Sequence, residues 1–431
     1  MHTPARQSMP HVVIVGSGFG GLEAARALGN VPVRLTVIDR TNHFLFQPLL
    51  YQVATAELAP SDISAAIRNI LRRQRNTEVI LGEVTGVDVE NRRILLADGE
   101  VSYDMLVLAT GAGQSYFGHP EWAEHAPGLK TWADGAEIRQ KILLAFEAAE
   151  RETDPHRQRT LMTIVVVGGG PTGVELAGAL AELTHRALAS DFRHIDPRNA
   201  RIVLVEAMGR LLQPFSESLA RKAYLELQRL GVYVRLNAPV EAVDENGVVI
   251  AGERLDAHTV IWAAGVSASP AGEWLGAETD KNGRVIVGPD LTVPGHSEIF
   301  VIGDTAHATQ NGKPLPGVAP VAMQEGRYVA RVIRARVEQR ASPRPFHFFD
   351  RGYLATIGRS YAVGDIGPLH LSGLLAWVVW GGVHIAYLVG FRNRVLVMLQ
   401  WIWAYLTFQR GARLISPGYG AKHPLRALLR R

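Results

Sequence analysis

The sequence predicts an α/β fold with two Rossmann-like dinucleotide-binding domains, followed by a C-terminal region of amphipathic helices. Three observations lead to this prediction: a glycine loop between a strand-like and a helix-like segment near the N-terminus, a second copy of that pattern further on, and a charge-free apolar stretch near the C-terminus. A chain of 431 residues is also too long for one ordinary hydrophobic core, so several domains are expected.

The first glycine loop follows the β-branched run HVVIV at residues 11–15 and precedes a segment of helical composition. Its glycines, Gly16, Gly18 and Gly21, have the spacing G-x-G-x-x-G. These positions allow a tight turn, close approach of backbone N–H groups to a pyrophosphate, and close helix packing. The next strand-like run, VRLTVID, ends at Asp39, where an acidic residue is expected to meet a ribose hydroxyl.

The second glycine loop repeats this pattern with Gly168, Gly170 and Gly173, and its next strand-like run, RIVLVE, ends at Glu206. Two such folds indicate two nucleotides, and a flavin with a nicotinamide is the pair suited to hydride transfer. The alternative is a duplicated unit with one inactive site. A carboxylate at Glu206 accepts a bond from a ribose 2′-hydroxyl and repels a 2′-phosphate, which favours NADH over NADPH.

Composition excludes several classes of protein. The chain has no cysteine, which rules out disulfides, thiolate-held clusters and catalytic thiols. The first residues lack the basic and apolar regions of a signal peptide, so export is not expected. No histidine has a metal-ligand spacing, so no metal site is expected.

The C-terminal region is basic, aromatic and aliphatic. No acidic residue follows Asp365, and the region holds four of the eight tryptophans. Its eight cations are Arg392, Arg394, Arg410, Arg413, Lys422, Arg426, Arg430 and Arg431. This combination indicates an anionic lipid surface as the partner of the tail and not nucleic acid.

The apolar stretch from Leu371 to Phe391 is long enough for a bilayer span, at about 1.5 Å per residue against a hydrocarbon core of about 30 Å. The second run, Val395 to Phe408, is too short to return, and a single span would place all tail cations opposite the NADH site. We therefore predict helices that lie in the membrane interface. A true span, and partial burial in a protein core, remain as alternatives. The runs contain no Asp, Glu, Lys or Arg, so proton pumping is not expected.

With these motifs in view, the chain resembles the type II NADH dehydrogenases, which are single-subunit flavoprotein NADH:quinone oxidoreductases. The glycine loops are common to many flavin disulfide-reductase-like proteins, whereas three segments are more specific. They are FQPLLYQVAT, GYLATIGR and the tail HIAYLVGFRNR. The resemblance implies FAD in the first Rossmann domain, NADH in an inserted second one, and a membrane quinone as electron acceptor.

The resemblance also implies site residues. Positions that match FAD contacts are Gly16, Gly18, Gly21, Asp39, Ala109, Thr110, Gly111 and Asp304. Positions that match the NADH side are Gly168, Gly170, Gly173, Glu175 and Glu206. Positions that match the quinone end are Gln47, Pro48, Leu50, Ala319 and Gln324. The family often shows Ala-Gln at the start of the quinone motif, but here Pro320 follows Ala319, which leaves Gln324 as the amide candidate.

Glu175 and Gln324 are the candidate catalytic residues. The resemblance places Glu175 near the nicotinamide and flavin, where burial would raise its pKa and let it manage a proton. The alternative is a helix glutamate paired with an arginine. For Gln324 the alternative is a residue at a helix start that bonds only to backbone.

The predicted domains are a discontinuous FAD domain (1–125 and 286–365), an NADH domain (126–285) and membrane-surface helices (366–431). The predicted protein is a peripheral, monotopic one on the cytoplasmic face of the inner membrane, with a homodimer possible. Two other functions stay open, a flavoprotein redox sensor that binds NADH and a reductase with a soluble acceptor of ferredoxin type.

Overall fold

The computed structural model describes residues 9–407 and 410–415. Its α-helices, in chain order, are α1 Phe19–Leu28, α2 Leu50–Ala54, α3 Ile67–Leu71, α4 Trp132–Ala149, α5 Pro155–Leu161, α6 Pro171–Glu182, α7 Glu217–Arg229, α8 Ala271–Leu275, α9 Ala319–Val337, α10 Leu374–Tyr387 and α11 Phe391–Thr407. Of the tail residues singled out above, Phe408, Lys422, Arg426, Arg430 and Arg431 lie outside the described residues.

The described residues form two compact units. Unit 1 comprises residues 9–44, 65–113 and 266–350, and unit 2 comprises 45–64, 114–265 and the described residues from 351 onward. These units are defined by packing alone, so the bounds predicted for the ligand-binding domains stay a prediction.

Unit 1 is built on a six-stranded sheet. In spatial order its strands are Thr292–Val293, His296–Val301, Met105–Leu108, His11–Val15, Arg34–Asp39 and Thr77–Leu81. The last five run parallel to one another, with Val13 opposite both Thr36 and Leu106. All five residues of His11–Val15 are buried, as expected for a parallel strand that is covered on both faces.

Helices α1 and α9 of unit 1 approach each other closely. A Cβ atom built on Gly326 of α9 would lie 2.2 Å from the carbonyl oxygen of Gly20 in α1. Only glycine permits this separation, so the pair holds the helix that follows the first glycine loop in position.

Unit 2 contains a four-stranded parallel sheet with the spatial order Val232–Arg235, Arg201–Val205, Thr163–Val167 and Thr259–Trp262. The strand Thr163–Val167 is fully buried and leads through the second glycine loop into α6. Each unit thus has the strand, glycine loop and helix of a Rossmann-like fold, which confirms the predicted fold class.

Small antiparallel sheets and short strands complete the units. Unit 1 has one three-stranded sheet, formed by Val84–Asp88, Arg93–Leu96 and Gly99–Ser102. Unit 2 has two: the first is formed by Val240–Asp244, Gly247–Ile250 and Glu253–Asp256. The second is formed by Tyr353–Thr356, Ala362–Ile366 and Leu369–Gly373. The short strands are His43–Leu45, Ser64–Ala66, Ala112–Gln114, Val266–Ala268, Val285–Ile286, Ala306–His307, Thr309–Gln310 and Lys313–Pro314. Helix α10 packs on the sheet that ends at Gly373.

The C-terminal apolar run is divided between a strand and a helix. Leu371 to Gly373 belong to the strand Leu369–Gly373, and α10 then has 14 residues, a length of about 21 Å. Among residues 9–407 and 410–415, no helix combines the length and apolarity needed to cross a bilayer. The alternative of partial core filling also holds, because Trp380 of α10 is 1% exposed and its ring centroid lies 5.2 Å from that of Trp401 in α11.

The tail cation Arg410 contacts protein groups, whereas an anionic lipid surface as the partner of the tail stays a prediction. This side chain is buried, donates a hydrogen bond to the Thr55 carbonyl oxygen at 2.7 Å, and lies 3.7 Å from a Glu182 carboxylate oxygen. Arg413 likewise pairs with Asp191. The side chains of Arg410 and Arg413 therefore lie against acidic residues of unit 2 that are distant in the sequence.

Candidate nucleotide sites and a buried acidic cavity

In the first glycine loop, backbone atoms leave no room for a side chain at two of the glycines, whereas the third has free space beside it. Gly16 has a φ of +93°, and a Cβ built there would lie 2.3 Å from the Ala109 carbonyl oxygen. A Cβ on Gly21 would lie 1.9 Å from the Gly16 carbonyl oxygen, whereas one on Gly18 meets nothing within 4 Å. The backbone at Gly18 is therefore accessible at the start of α1, as phosphate binding requires.

Asp39, at the end of the strand Arg34–Asp39, holds this loop through hydrogen bonds. One carboxylate oxygen accepts hydrogen bonds from the backbone N–H and the hydroxyl of Ser17, both at 2.7 Å. The other accepts from the backbone N–H and the hydroxyl of Thr41 at 2.7 and 2.8 Å. The structure thus gives Asp39 a role within the protein, and its ribose contact stays a prediction.

Further FAD candidates meet at one edge of the unit 1 sheet. Ala109, Thr110 and Gly111 follow the strand Met105–Leu108, and Asp304 follows the neighbouring strand His296–Val301. The Thr305 hydroxyl donates to the Gly111 carbonyl oxygen at 3.0 Å and lies 3.2 Å from the Thr110 hydroxyl. Ligands of open α/β sheets bind at the carboxyl ends of parallel strands, which is where these residues lie.

Glu325 is an acidic residue that the sequence reasoning missed in unit 1. Its side chain is 1% exposed and accepts a hydrogen bond from the Gly303 backbone N–H at 2.5 Å. Burial raises the pKa of Glu325 to about 8. The sequence offered only its position between Gln324 and Gly326, near the start of α9.

The second glycine loop repeats the first in unit 2. Gly168 has a φ of +111°, and a Cβ on Gly173 would lie 1.8 Å from its carbonyl oxygen. A Cβ on Gly170 meets nothing within 4 Å. The Glu206 carboxylate accepts from the Gly169 N–H at 2.6 Å and from the Met208 N–H at 2.8 Å, so the acid at the strand end is fixed beside the loop.

Glu175 lies on α6, which begins at this loop, and is 7% exposed. Burial raises its pKa from 4.5 to about 8, and a hydrogen bond from the Thr356 N–H at 3.3 Å opposes that rise. The nearby Trp380 indole also favours the ionised form, although its Nε1 lacks hydrogen-bond geometry to any described residue. No arginine in the described part of the chain forms an ion pair with Glu175, so the alternative of a Glu–Arg pair finds no support.

Gln324 uses both ends of its side-chain amide within the protein. Its Nε2 donates to the Phe349 carbonyl oxygen and its Oε1 accepts from the Phe349 N–H, both at 3.0 Å. This arrangement matches the backbone-bonding alternative, so a quinone contact stays a prediction. Ala319 and Pro320 form the first turn of α9, where proline is tolerated because its missing N–H has no helical partner.

The remaining quinone candidates belong to unit 2. Gln47 is exposed and donates to the Lys130 carbonyl oxygen at 3.0 Å. Pro48 follows it in a single 3₁₀ turn. Leu50 is 2% exposed and packs against Gly135 of α4, so it forms part of the interior of this unit.

A cavity of about 40 Å³ lies inside unit 2 beside Glu175. Its polar lining consists of Tyr51, Gln52, Glu57, Glu175, Glu182, Thr356, Arg359 and Arg410. The tryptophans Trp377, Trp380 and Trp401 supply apolar walls from α10 and α11. Sequence reasoning missed most of the polar residues, although Tyr51 and Gln52 lie in the FQPLLYQVAT segment and Arg359 ends GYLATIGR.

The sequence matches the pyridine nucleotide-disulphide oxidoreductase family over residues 10–326 and the NDH2 C-terminal domain over residues 351–410. Two Mycobacterium tuberculosis proteins, the type II NADH:quinone oxidoreductases Ndh and NdhA, are 44% and 45% identical to it. Each match covers 94% of this chain, with 90% of Ndh and 89% of NdhA. The chain belongs to the type II NADH:quinone oxidoreductases.

A further relative agrees with this assignment, and two solved structures share the fold. The type II NADH:quinone oxidoreductase of Staphylococcus aureus is 30% identical, over 85% of this chain and 92% of its own. A solved structure of NDH2 from Plasmodium falciparum in complex with NADH has the same fold, with a TM-score of 0.86 at 21% identity over 95% of this chain and all of that one. The Aquifex aeolicus sulfide:quinone oxidoreductase gives a TM-score of 0.71 at 19% identity, over 89% of this chain and 92% of its own.

Proposed function

We propose that the chain is an FAD-dependent NADH:quinone oxidoreductase that does not pump protons. The observation that carries this proposal is the pair of glycine loops, each with an accessible backbone at Gly18 or Gly170 and an acidic residue at the end of the next strand. The names of the mycobacterial relatives support the same activity.

The residues of unit 1 fit FAD. The accessible backbone at Gly18 suits a pyrophosphate, and Thr110, Gly111 and Asp304 lie at the sheet edge where a dinucleotide binds. When bound, FAD supplies the two-electron chemistry that links hydride donation by NADH to reduction of a quinone. The protein contributes binding, orientation and exclusion of water.

The residues of unit 2 fit NADH. The backbone at Gly170 is accessible, and two backbone N–H groups hold the Glu206 carboxylate at the end of the adjacent strand. A fixed negative charge there disfavours the 2′-phosphate of NADPH.

Glu175 is suited to holding a proton near neutral pH. Because burial raises its pKa to about 8, the carboxyl is mostly protonated at pH 7, and a proton-transfer group works best when its pKa is close to the working pH. We propose that Glu175 is the acid that manages protons during turnover.

We further propose that α10 and α11 lie on an anionic membrane surface, at the cytoplasmic face of the inner membrane. Large apolar side chains of these helices and the segment after them are exposed, and Arg392 and Arg394 are exposed among them. The exposed apolar residues are Leu374, Leu375, Val378, Phe391, Met398, Leu399, Ile402, Trp403, Tyr405, Leu406, Leu414 and Ile415. A homodimer also stays a prediction.

The test is steady-state oxidation of NADH by purified, detergent-solubilised protein, with and without a short-chain quinone, and with NADPH in parallel. Fast oxidation that depends on quinone and prefers NADH supports the proposal. Flavin reduction with no effect of quinone on the rate rejects it and favours the redox sensor. Faster turnover with a ferredoxin-type acceptor than with quinone favours the soluble reductase.

A further inference from the structure

The cavity beside Glu175 is too small for a quinone or a nucleotide. Ligand pockets typically measure about 300–1,000 Å³, whereas this one measures about 40 Å³. At about 10–15 Å³ for each water, it has room for about three. Its polar lining gives such waters hydrogen-bond partners, so its dimensions and chemistry suit protons and water.

Glu57 is the second acid of this cavity whose proton affinity is increased by burial. Protein surrounds its carboxyl closely enough to raise its pKa, yet the side chain keeps some accessible surface, as expected for a group that lines a cavity. The positive charges of Arg410 and Arg359 lower the pKa of Glu57, whereas the negative charge of Glu182 raises it. Among the described residues, none donates a hydrogen bond to the Glu57 carboxyl.

The charged groups around Glu57 come from three other elements. Glu182 belongs to α6, Arg359 to the loop after the strand Tyr353–Thr356, and Arg410 to the segment after α11. Arg410 lies 3.7 Å from the Glu182 carboxylate, and the Arg359 guanidinium lies 4.8 Å from the centre of the Tyr405 ring. Tyr405 of α11 also lines the cavity.

A directed hydrogen-bond chain orients Tyr51 within the cavity wall. The Trp401 indole N–H, which can only donate, donates to Gln52 Oε1 at 2.9 Å. Gln52 Nε2 must then donate to the Tyr51 hydroxyl oxygen, at 3.0 Å. The Tyr51 hydroxyl is thereby an acceptor from Gln52, and its own proton is directed to another partner.

Tyr51 is also electrostatically linked to the acids of the cavity. Burial raises its pKa well above the ordinary value, and the charges of Glu175, Glu57 and Glu182 raise it further. Tyr51 therefore keeps its proton at neutral pH. The Tyr51 hydroxyl therefore interacts electrostatically with the carboxyl groups of both Glu175 and Glu57.

Reduction of a quinone by NADH consumes one proton from water, since NADH, quinone and one proton yield NAD⁺ and quinol. The hydride brings two electrons and one hydrogen, so the second hydrogen of the quinol must come from the aqueous side. The exposed faces of α10 and α11 are largely apolar, whereas polar side chains line the cavity inside unit 2, so the cavity is the better route for this proton.

We propose that this cavity is the proton-uptake route of the enzyme, and that Glu57, whose side chain keeps some accessible surface, relays the proton from solvent past Tyr51 and cavity water to Glu175. Glu57 accepts a proton from solvent water and releases it inward, so no bond other than O–H is made or broken. The inference rests on the proposed function, because quinol formation is what consumes the proton.

The test is Glu57→Gln, which keeps the size of the side chain and removes its proton. Flavin reduction by NADH should proceed at the wild-type rate in a stopped-flow experiment without quinone. Turnover with quinone should fall about ten- to a hundredfold at pH 8.5, which is at or below the lower limit of the roughly 10²–10⁴ typical for positioned proton transfer, because bulk water partly replaces the relay. The loss should shrink as pH falls, because protons from bulk water then replace the relay.

Two further readouts do not depend on turnover alone. A pH indicator should show slower proton uptake in Glu57→Gln when quinone is added to the reduced protein. An infrared pH titration of the wild type should contain carboxyl signals that titrate above the range of exposed glutamates, and Glu57→Gln should lose one of them while those of Glu175 and Glu325 remain.

Two variants complete the design. Glu241→Gln removes an exposed carboxylate of unit 2 outside the cavity, and should match the wild type at every pH because the amide oxygen still accepts from the Gly252 N–H. Tyr51→Phe keeps the ring and should show the same pH-dependent loss as Glu57→Gln, so it decides the question if Glu57→Gln destabilises the fold.

The outcomes separate the two proposals. A wild-type protein without quinone-dependent turnover overturns the proposed function and the relay with it. A wild-type protein that turns over, with Glu57→Gln and Tyr51→Phe showing wild-type pH profiles and rates of proton uptake, overturns the relay alone.

Discussion

Replacement of Glu175 by glutamine should make the protein more stable at alkaline pH and leave its stability nearly unchanged in acid. The pKa of Glu175 is about 8 in the folded protein, against 4.5 for an ordinary glutamate. Between these values the folded protein binds a proton that the unfolded chain has released, so the free energy of unfolding falls as pH rises.

The magnitude follows from the two pKa values. Each pH unit between them corresponds to about 1.36 kcal/mol, which gives a loss of about 5 kcal/mol between pH 4.5 and 8. Glu175 is 7% exposed, so solvent screens this cost very little. Glutamine is neutral at every pH and avoids the loss.

The assay is denaturant unfolding of the wild type and Glu175→Gln at several pH values from 4.5 to 9, in the same detergent. Only the difference between the two proteins is used, because buried Glu325 also has a pKa of about 8 and its contribution cancels. The difference should be near zero at pH 4.5 and grow to about 5 kcal/mol in favour of the variant above pH 8. A difference that is constant across this range would refute the raised pKa.

Four further substitutions test the nucleotide and quinone assignments. Glu206→Ala should reduce the preference for NADH over NADPH about 10- to 100-fold, the value of a hydrogen bond to a charged group, measured as the ratio of kcat/KM for the two. Gly173→Ala should destabilise the fold by about 1–3 kcal/mol or more, because its Cβ would lie 1.8 Å from a loop carbonyl oxygen. Gly170→Ala, which meets no atom within 4 Å, should keep the melting temperature and raise the KM for NADH. Gln324→Ala should lower the free energy of unfolding by about 1–3 kcal/mol, since the backbone of Phe349 loses two partners. An increase in the KM for quinone without a loss of stability would instead support the predicted quinone contact.

The amino-acid sequence by itself determined the two Rossmann-like units. A strand, a glycine turn and a helix are encoded by neighbouring residues, and steric limits on the turn permit only glycine at positions such as Gly16 and Gly168. The acids Asp39 and Glu206 could also be predicted from the sequence, because each stands at the end of the strand-like run that follows its glycine loop.

The tertiary structure alone decided which polar groups are buried and with which partners. Nothing near Arg410 in the sequence shows that it turns away from solvent towards Glu182, nor does the sequence around Gln324 show that Phe349 occupies its amide. The cavity acids Glu57 and Glu175 are also far apart in the chain. The free energy of a buried charge depends on neighbours that folding brings from distant segments, so local sequence patterns determine the loops but not the acids of the cavity.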